Sequence, residues 1–235
     1  MVSLKRTSYD LCAHIETRVL KRAFIFDMDG VIVDSNPFHK VALRQFCKKH
    51  GRDLSEEELK ERIYGRTNRD WLLNIFPDLT DEEIARYADE KEEIFRELYA
   101  NDIVALAGLG EFLKAARTLG IPMAIATSAP LENVDFTLAK TGLREYFPVI
   151  LYDKFVTKGK PDPEIYIKAC AALELPPGDC VVFEDSLSGV TAARRAGCRV
   201  VGIMTTHNAE ELVETDLVIA DFQDIGPEAV LEAVF

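Results

Sequence analysis

Three apolar runs in this sequence stop at residues that carry oxygen. AFIF (Ala23–Phe26) leads into Asp27 and Asp29 of DMDGVIVDS, MAIA (Met123–Ala126) into Thr127 and Ser128, and CVVF (Cys180–Phe183) into Glu184 and Asp185. Lys160, in GKPDPE, falls between the second and third of these, just before a helix start. Carboxylates and hydroxyls can act as nucleophiles, acid–base groups or ligands of a hard cation, and an ammonium supplies counter-charge. Asp27 and Asp29 are two residues apart, so on extended chain they point to the same side. These groups act together only if the three runs are neighbouring strands ending at one edge.

The rest of the pattern supplies that arrangement. Phe38 to His50 reads as a helix stopped by Gly51, and Ser55 with Glu58 forms a capping box for a short one ending near Gly65. Arg69–Phe76 is a third, ended by Pro77. Thr80 with Glu83 opens a long fourth helix with Ile84, Tyr87, Ala88, Ile94, Phe95 and Leu98 on one face. From about residue 106 the pattern alternates. Helices at Gly110–Thr118, Leu131–Lys140, Pro163–Leu173 and Leu187–Ala196 separate strands at 122–126, Val149–Leu151, 180–183, Val200–Ile203 and Leu217–Ile219. Such alternation predicts a parallel sheet covered on both faces, whose ligands bind at the carboxyl ends of the strands. The all-helical block follows the first strand, so it reads as an insertion. Residues 1–21 read as an N-terminal extension.

Composition sets limits. A chain of 235 residues that is 48% hydrophobic can build one large core, or a core and a small insert. A net charge of -12 disfavours nucleic acid and anionic lipid as partners, and makes a lysine within a site informative. Five scattered cysteines with no CxxC pair argue against a disulfide framework or a zinc site; Cys170, Cys180 and Cys198 read as core residues. No apolar run is long enough to span a membrane, and residues 1–22 lack the apolar stretch of a secretory signal. A cytoplasmic protein is expected, a monomer or weak homodimer.

The stretches DMDGVIVDS, TSA, GKP and EDS, in this order and with a helical insert after the first, resemble the haloacid dehalogenase superfamily, mostly phosphatases and phosphomutases. The likeness runs from Lys21 onward. The insert position resembles the helical-cap branch that includes phosphoglycolate phosphatases and β-phosphoglucomutases. The resemblance implies a three-layer, Rossmann-like α/β core (22–35 and 106–235) and an α-helical cap (36–105). It implies that Asp27 is the nucleophile forming an aspartyl phosphate and that Asp29 is the acid and base. Thr127 and the N–H groups of Ser128 and Ala129 would bind phosphoryl oxygens, and Lys160 would balance charge. Two unit charges about 4 Å apart repel by roughly 4 kcal/mol at an effective dielectric of 20. An anionic nucleophile facing a phosphate therefore needs a cation. Mg2+ is expected, on the Asp27 and Asp185 carboxylates and the Asp29 carbonyl, with Glu184 as ligand or neighbour. The count balances with Asp29 protonated: three carboxylates against Mg2+ and Lys160.

Cap residues would set the substrate. The loop 64–69 resembles the family's specificity loop, with Arg66, Asn68 and Arg69 as candidate contacts, and His39 near the hinge faces the site in related sequences. Asn68 stands where β-phosphoglucomutase-like sequences place an arginine for a second phosphate. A phosphatase acting on a small phosphorylated sugar or polyol is therefore preferred over a phosphomutase. A non-catalytic phosphate-binding protein predicts loss of motif residues, and all are present. Asp29 argues against a dehalogenase, and the absence of a convincing loop lysine argues against a phosphonate hydrolase. Trp71 reads as cap core, Asp162 as a helix cap, and Thr127 as an N-cap or a phosphate ligand.

Overall fold

A computed structural model describes residues 22–63 and 66–235. The N-terminal extension and part of the 64–69 loop lie outside the described residues. Six parallel strands form one sheet: β1 (Ala23–Phe26), β2 (Met123–Ala126), β3 (Val149–Leu151), β4 (Cys180–Glu184), β5 (Arg199–Ile203) and β6 (Leu217–Ile219), in the order β3-β2-β1-β4-β5-β6. β1 is central. Phe24 pairs with Met123 on one side and Val181 on the other.

All four β1 residues are fully buried, as expected of a strand covered on both faces. Phe24 and Phe26 face a core with Phe112, Phe183 and Phe222, where Phe26 stacks on Phe183 at 4.6 Å. Ala23 and Ile25 face the other core, with Ile165, Tyr166 and Ala193. Each large side chain so buried contributes about 1.5–3 kcal/mol. The sheet is thus the middle of three layers.

Between β1 and β2 the chain forms α1 (Asn36–Lys49), α2 (Glu56–Arg62), α3 (Asn68–Ile75) and α4 (Asp81–Tyr99), then α5 (Leu109–Thr118), which returns to the sheet. Both expected capping boxes are present, Ser55 with Glu58 and Thr80 with Glu83. Leu43, Phe46, Leu59, Trp71, Leu72, Ile75 and Ile84 form a separate core within this helical insert. Trp71 is cap core, as expected. Val33 bridges Ala105, so the two chain crossings between insert and sheet lie side by side. The remaining helices are α6 (Leu131–Thr141), α7 (Glu164–Ala172), α8 (Leu187–Ala196) and α9 (Pro227–Val234).

The buried face of α4 differs from expectation. Lys91 and Glu92 lie within it, each 5% exposed. Lys91 is seven residues after Ile84 and four before Phe95, a position on the apolar stripe.

Candidate active site

Adjacency in the order β2-β1-β4 brings Thr127, Asp27 and Asp185 out side by side at the carboxyl edge. The direction of the connections reverses here, where open sheets bind ligands. Glu184 ends β4 and is completely buried. Its Oε1 accepts hydrogen bonds from Lys160 Nζ at 2.6 Å and Tyr166 Oη at 2.6 Å. Its Oε2 accepts from the backbone N–H groups of Asp185 and Ser186, both at 3.1 Å, and from Ser186 Oγ at 3.0 Å. The carboxylate thus sits before the first turn of α8, where the helix dipole favours negative charge. A Cβ at Gly189 would lie 1.7 Å from Glu184 Oε1, so only glycine leaves room for it.

Lys160 Nζ also donates to Asp27 Oδ1 at 2.8 Å and so joins the ends of β1 and β4. Burial opposes its charge, but Asp27 and Glu184 outweigh that and raise its pKa. Burial raises the Asp27 pKa well above the usual range; Glu184 and Asp185 add to this and Lys160 opposes it. For Asp185, burial and then the charge of Glu184 push the pKa up to about 7. Glu184 stays ionised, because Lys160 overcomes the effect of burial.

The carboxylates of Asp27, Glu184 and Asp185 offer oxygens that all lie within 4.8 Å of one another. Three ionised carboxylates against one ammonium leave a surplus of negative charge, and burial, with the neighbouring carboxylates, already raises the pKa values of Asp27 and Asp185. An oxygen-only donor set with that surplus fits a hard dication. Glu184 already accepts five hydrogen bonds, so Asp27 and Asp185 are the better ligands. Asp185 is held in turn. Its Oδ2 accepts from Asn36 Nδ2 at 3.0 Å, from Thr205 Oγ1 at 3.3 Å and from Thr206. Gly30 adopts φ +80°, and a Cβ there would fall 1.9 Å from Asp185 Oδ2.

Thr127 is buried, and its Oγ1 accepts from Ala129 N–H at 3.1 Å. That N–H, expected to face a phosphate, is therefore spent on Thr127. Pro130 rather than Thr127 occupies the N-cap of α6. Ser128 is exposed at the edge. Asp162 precedes the N-cap, which is Pro163, and accepts from Glu164 N–H in the first turn of α7.

A second group of side chains surrounds Asp29. Ser35 Oγ donates to Asp29 Oδ1 at 2.5 Å, and His39 Nε2 lies 3.5 Å from the same oxygen. Lys91 Nζ approaches His39 Nδ1 at 3.1 Å; an ammonium can only donate, so Nδ1 accepts and Nε2 carries the hydrogen facing Asp29. His39 stacks on Phe95 with ring centroids 3.7 Å apart. Burial would raise the Asp29 pKa, but His39, Ser35 and Lys91 together hold it below the usual value. The free site thus holds the Asp29 pKa down and those of Asp27 and Asp185 up. At Asp29 the Ser35 and His39 contacts and the charge of Lys91 outweigh burial, whereas at Asp27 and Asp185 burial dominates and the neighbouring carboxylates add to it.

Lys91 pairs with Glu92 at 2.8 Å. Glu92 also accepts from Asn68 Nδ2 at 3.2 Å and Asn133 Nδ2 at 2.8 Å. Asn68 in turn accepts from Trp71 Nε1. Of the loop candidates, Asn68 therefore joins the network leading to Asp29. Arg66 is exposed and donates to the Glu61 carbonyl, and Arg69 pairs with Asp81 at 2.8 Å on the surface.

Sequence reasoning did not assign Tyr166, Asn36, Thr205, Thr206, Lys91, Glu92 or Asn133 to the site. Two signals were there to use. Thr205 and Thr206 follow the apolar run of β5, a fourth strand end with hydroxyls. Lys91 breaks an apolar helix stripe.

A parallel sheet with a helical insert after its first strand, and carboxylates and one lysine gathered at the strand ends, defines the capped α/β hydrolases. The family model of haloacid dehalogenase-like hydrolases matches residues 21–197, and the chain belongs to that family. It is 34% identical over 219 residues to a phosphorylated carbohydrates phosphatase of Thermotoga maritima, covering 90% of this chain and 97% of that protein. It is 27% identical to the β-phosphoglucomutase of Bacillus subtilis, covering 90% and 94%. The crystal structure of a family IA, variant 3 hydrolase from Entamoeba histolytica superposes with a TM-score of 0.84 at 33% identity, over 91% of this chain and 99% of that one. The chain is an enzyme of the phosphoric monoester hydrolase class. Among the described residues no helix is long and apolar enough to cross a membrane.

Proposed function

We propose that the enzyme is a magnesium-dependent phosphatase for a small phosphorylated sugar or polyol, working through an aspartyl phosphate on Asp27. The observation that carries this reading is the Lys160 ammonium held between Asp27 and Glu184, in one cluster with Asp185. Asp27, Asp185 and the Asp29 carbonyl would hold the ion, which offsets charge between nucleophile and phosphate. Lys160, the Thr127 hydroxyl and the Ser128 N–H orient the phosphoryl oxygens. The Asp27 carboxylate attacks phosphorus as the bond to the leaving oxygen breaks, and that oxygen takes its proton from Asp29. A water then attacks phosphorus and gives its proton to Asp29 as the bond from phosphorus to Asp27 breaks, which releases inorganic phosphate and restores the Asp27 carboxylate. Asp29 would have to hold a proton when the ester arrives, and the approach of an anionic phosphate favours that protonation.

Two observations favour hydrolysis over isomerisation. Asn68 stands in place of a second phosphate-binding arginine, and Lys91 is already neutralised by Glu92. The test is phosphate release from a panel of sugar and polyol phosphates, with magnesium and with chelator. Isomer interconversion without phosphate release, or full turnover in chelator, would overturn the reading.

A further inference from the structure

Asn133 lies in the first turn of α6, in the core, and its side chain is 0% exposed. Two cap side chains grip it from α4. Asn133 Nδ2 donates to Glu92 Oε2 at 2.8 Å, and Arg96 NH1 donates to Asn133 Oδ1 at 2.8 Å. A carboxylate and a guanidinium one helical turn apart thus hold the two ends of one core amide. The covalent connection between cap and core is narrow, two crossings joined at Val33 and Ala105. We propose that Glu92, Arg96 and Asn133 form the latch that fixes the closed position of the cap, which makes Asn133 a positioning residue for the reaction.

The chemistry suits a latch better than a permanent joint. Both bonds involve a charged partner, so together they are strong and directional. Both can be exchanged for water on opening, so the cap is not locked as an apolar interface would lock it. Closure also determines where His39 sits, because Lys91, adjacent to Glu92, contacts His39 Nδ1, and Nε2 faces Asp29. The latch therefore couples cap position to the group beside the acid–base aspartate.

The inference rests on the phosphatase reading only for its kinetic arm. Spin labels at Glu82→Cys in the cap and Lys140→Cys in the core, both exposed positions, report cap–core distance in the full chain with Cys12→Ser. In the parent one short distance dominates. Asn133→Asp, which sets a carboxylate against Glu92, shifts the population to longer distances, and Arg96→Gln shifts it less. With fewer closed molecules, KM for a phosphate ester rises about tenfold while kcat changes less, because the apparent affinity scales with the closed fraction. A merely structural role would lower the amount of folded enzyme without moving KM. Distances in folded Asn133→Asp that match the parent overturn the latch; should that variant not fold, unchanged distances and KM in Arg96→Gln do so. A parent that turns over no phosphate ester defeats the phosphatase reading instead, and the distances still decide the latch.

Discussion

Around Asp27 the charged groups leave strand ends or the loop just before α7; around Asp29 most are carried by helices of the insert. The first group is tied to backbone that cannot shift without breaking the sheet. Lys160, Asp27 and Glu184 meet at 2.6–2.8 Å in a largely buried setting. The second group includes His39, Lys91, Glu92 and Asn68, and reaches the core through Ser35 and Asn133. Its geometry depends on how two bodies meet. On the proposed reading the first region carries the attack on phosphorus, while the helices around Asp29 would close over the substrate and recognise what the phosphate is attached to. Substitutions in the first should therefore cost kcat, and those in the second should cost KM.

The largest effect is expected at the nucleophile. Asp27→Asn keeps the shape and removes the attacking charge, so turnover should fall by at least about 10^4-fold with the fold intact. Phosphate release measured alongside circular dichroism checks this, and retained activity would end the covalent mechanism. Next comes a residue without functional groups. Gly189→Ala places a methyl against the Glu184 carboxylate, 1.7 Å from Oε1. The displaced carboxylate would misplace Lys160, lowering kcat by about 100-fold. Overpacking should also lower stability by about 1–3 kcal/mol, read from denaturant melts. Normal kinetics would show that Glu184 does not position Lys160.

The same contrast explains what was legible in the sequence. The sheet core and Asp27, Asp29 and Asp185 could be read because a buried strand must be an apolar run that polar residues end, whereas Lys160, in GKP before a helix start, is singled out by the resemblance. Both capping boxes could be read because the box is local, spanning four residues. Asn133 and Glu92 could not, because 41 residues separate them and each taken singly is an ordinary polar residue on a helix. Tyr166 reads as core from its position and becomes a partner of Glu184 only through the approach of α7 to β4. The arginines of the 64–69 loop drew attention by charge, yet the uncharged Asn68 has the buried partners. Charge type is visible in a sequence, but the direction in which a helix faces a neighbouring body is not.

Metal binding separates the two regions without any assay of turnover. Burial, and after it the neighbouring carboxylates, raise the Asp27 and Asp185 pKa values; an ion on the two would offset both costs, so magnesium should stabilise the folded chain. At 100 times the dissociation constant the gain is about 2.7 kcal/mol, which for a chain of this size is a rise in Tm on the order of 5–10 °C. Asp185→Asn should largely abolish that rise, whereas Glu92→Gln should leave it in place. A magnesium-induced shift that survives Asp185→Asn places the ion elsewhere.

The smallest effects compare two neighbours within the cap. Asn68 donates to buried Glu92 and accepts from Trp71, so Asn68→Ala leaves both short of a partner and loosens the wall nearest His39 and Asp29. KM across a panel of sugar and polyol phosphates should rise about fivefold and unevenly, since a lost hydrogen bond to a charged group is worth about 1.5–3 kcal/mol, only part of which reaches the substrate. Arg69 is solvent-exposed, and its partner Asp81 is more so. Exposed pairs contribute about 0–1 kcal/mol, so Arg69→Ala should change KM by less than about twofold for every substrate. Steady-state kinetics on the same panel distinguishes the two. A larger and substrate-dependent effect at Arg69 would mean that its pairing with Asp81 breaks when substrate binds and that the arginine swings inward, moving recognition from the buried network to the loop.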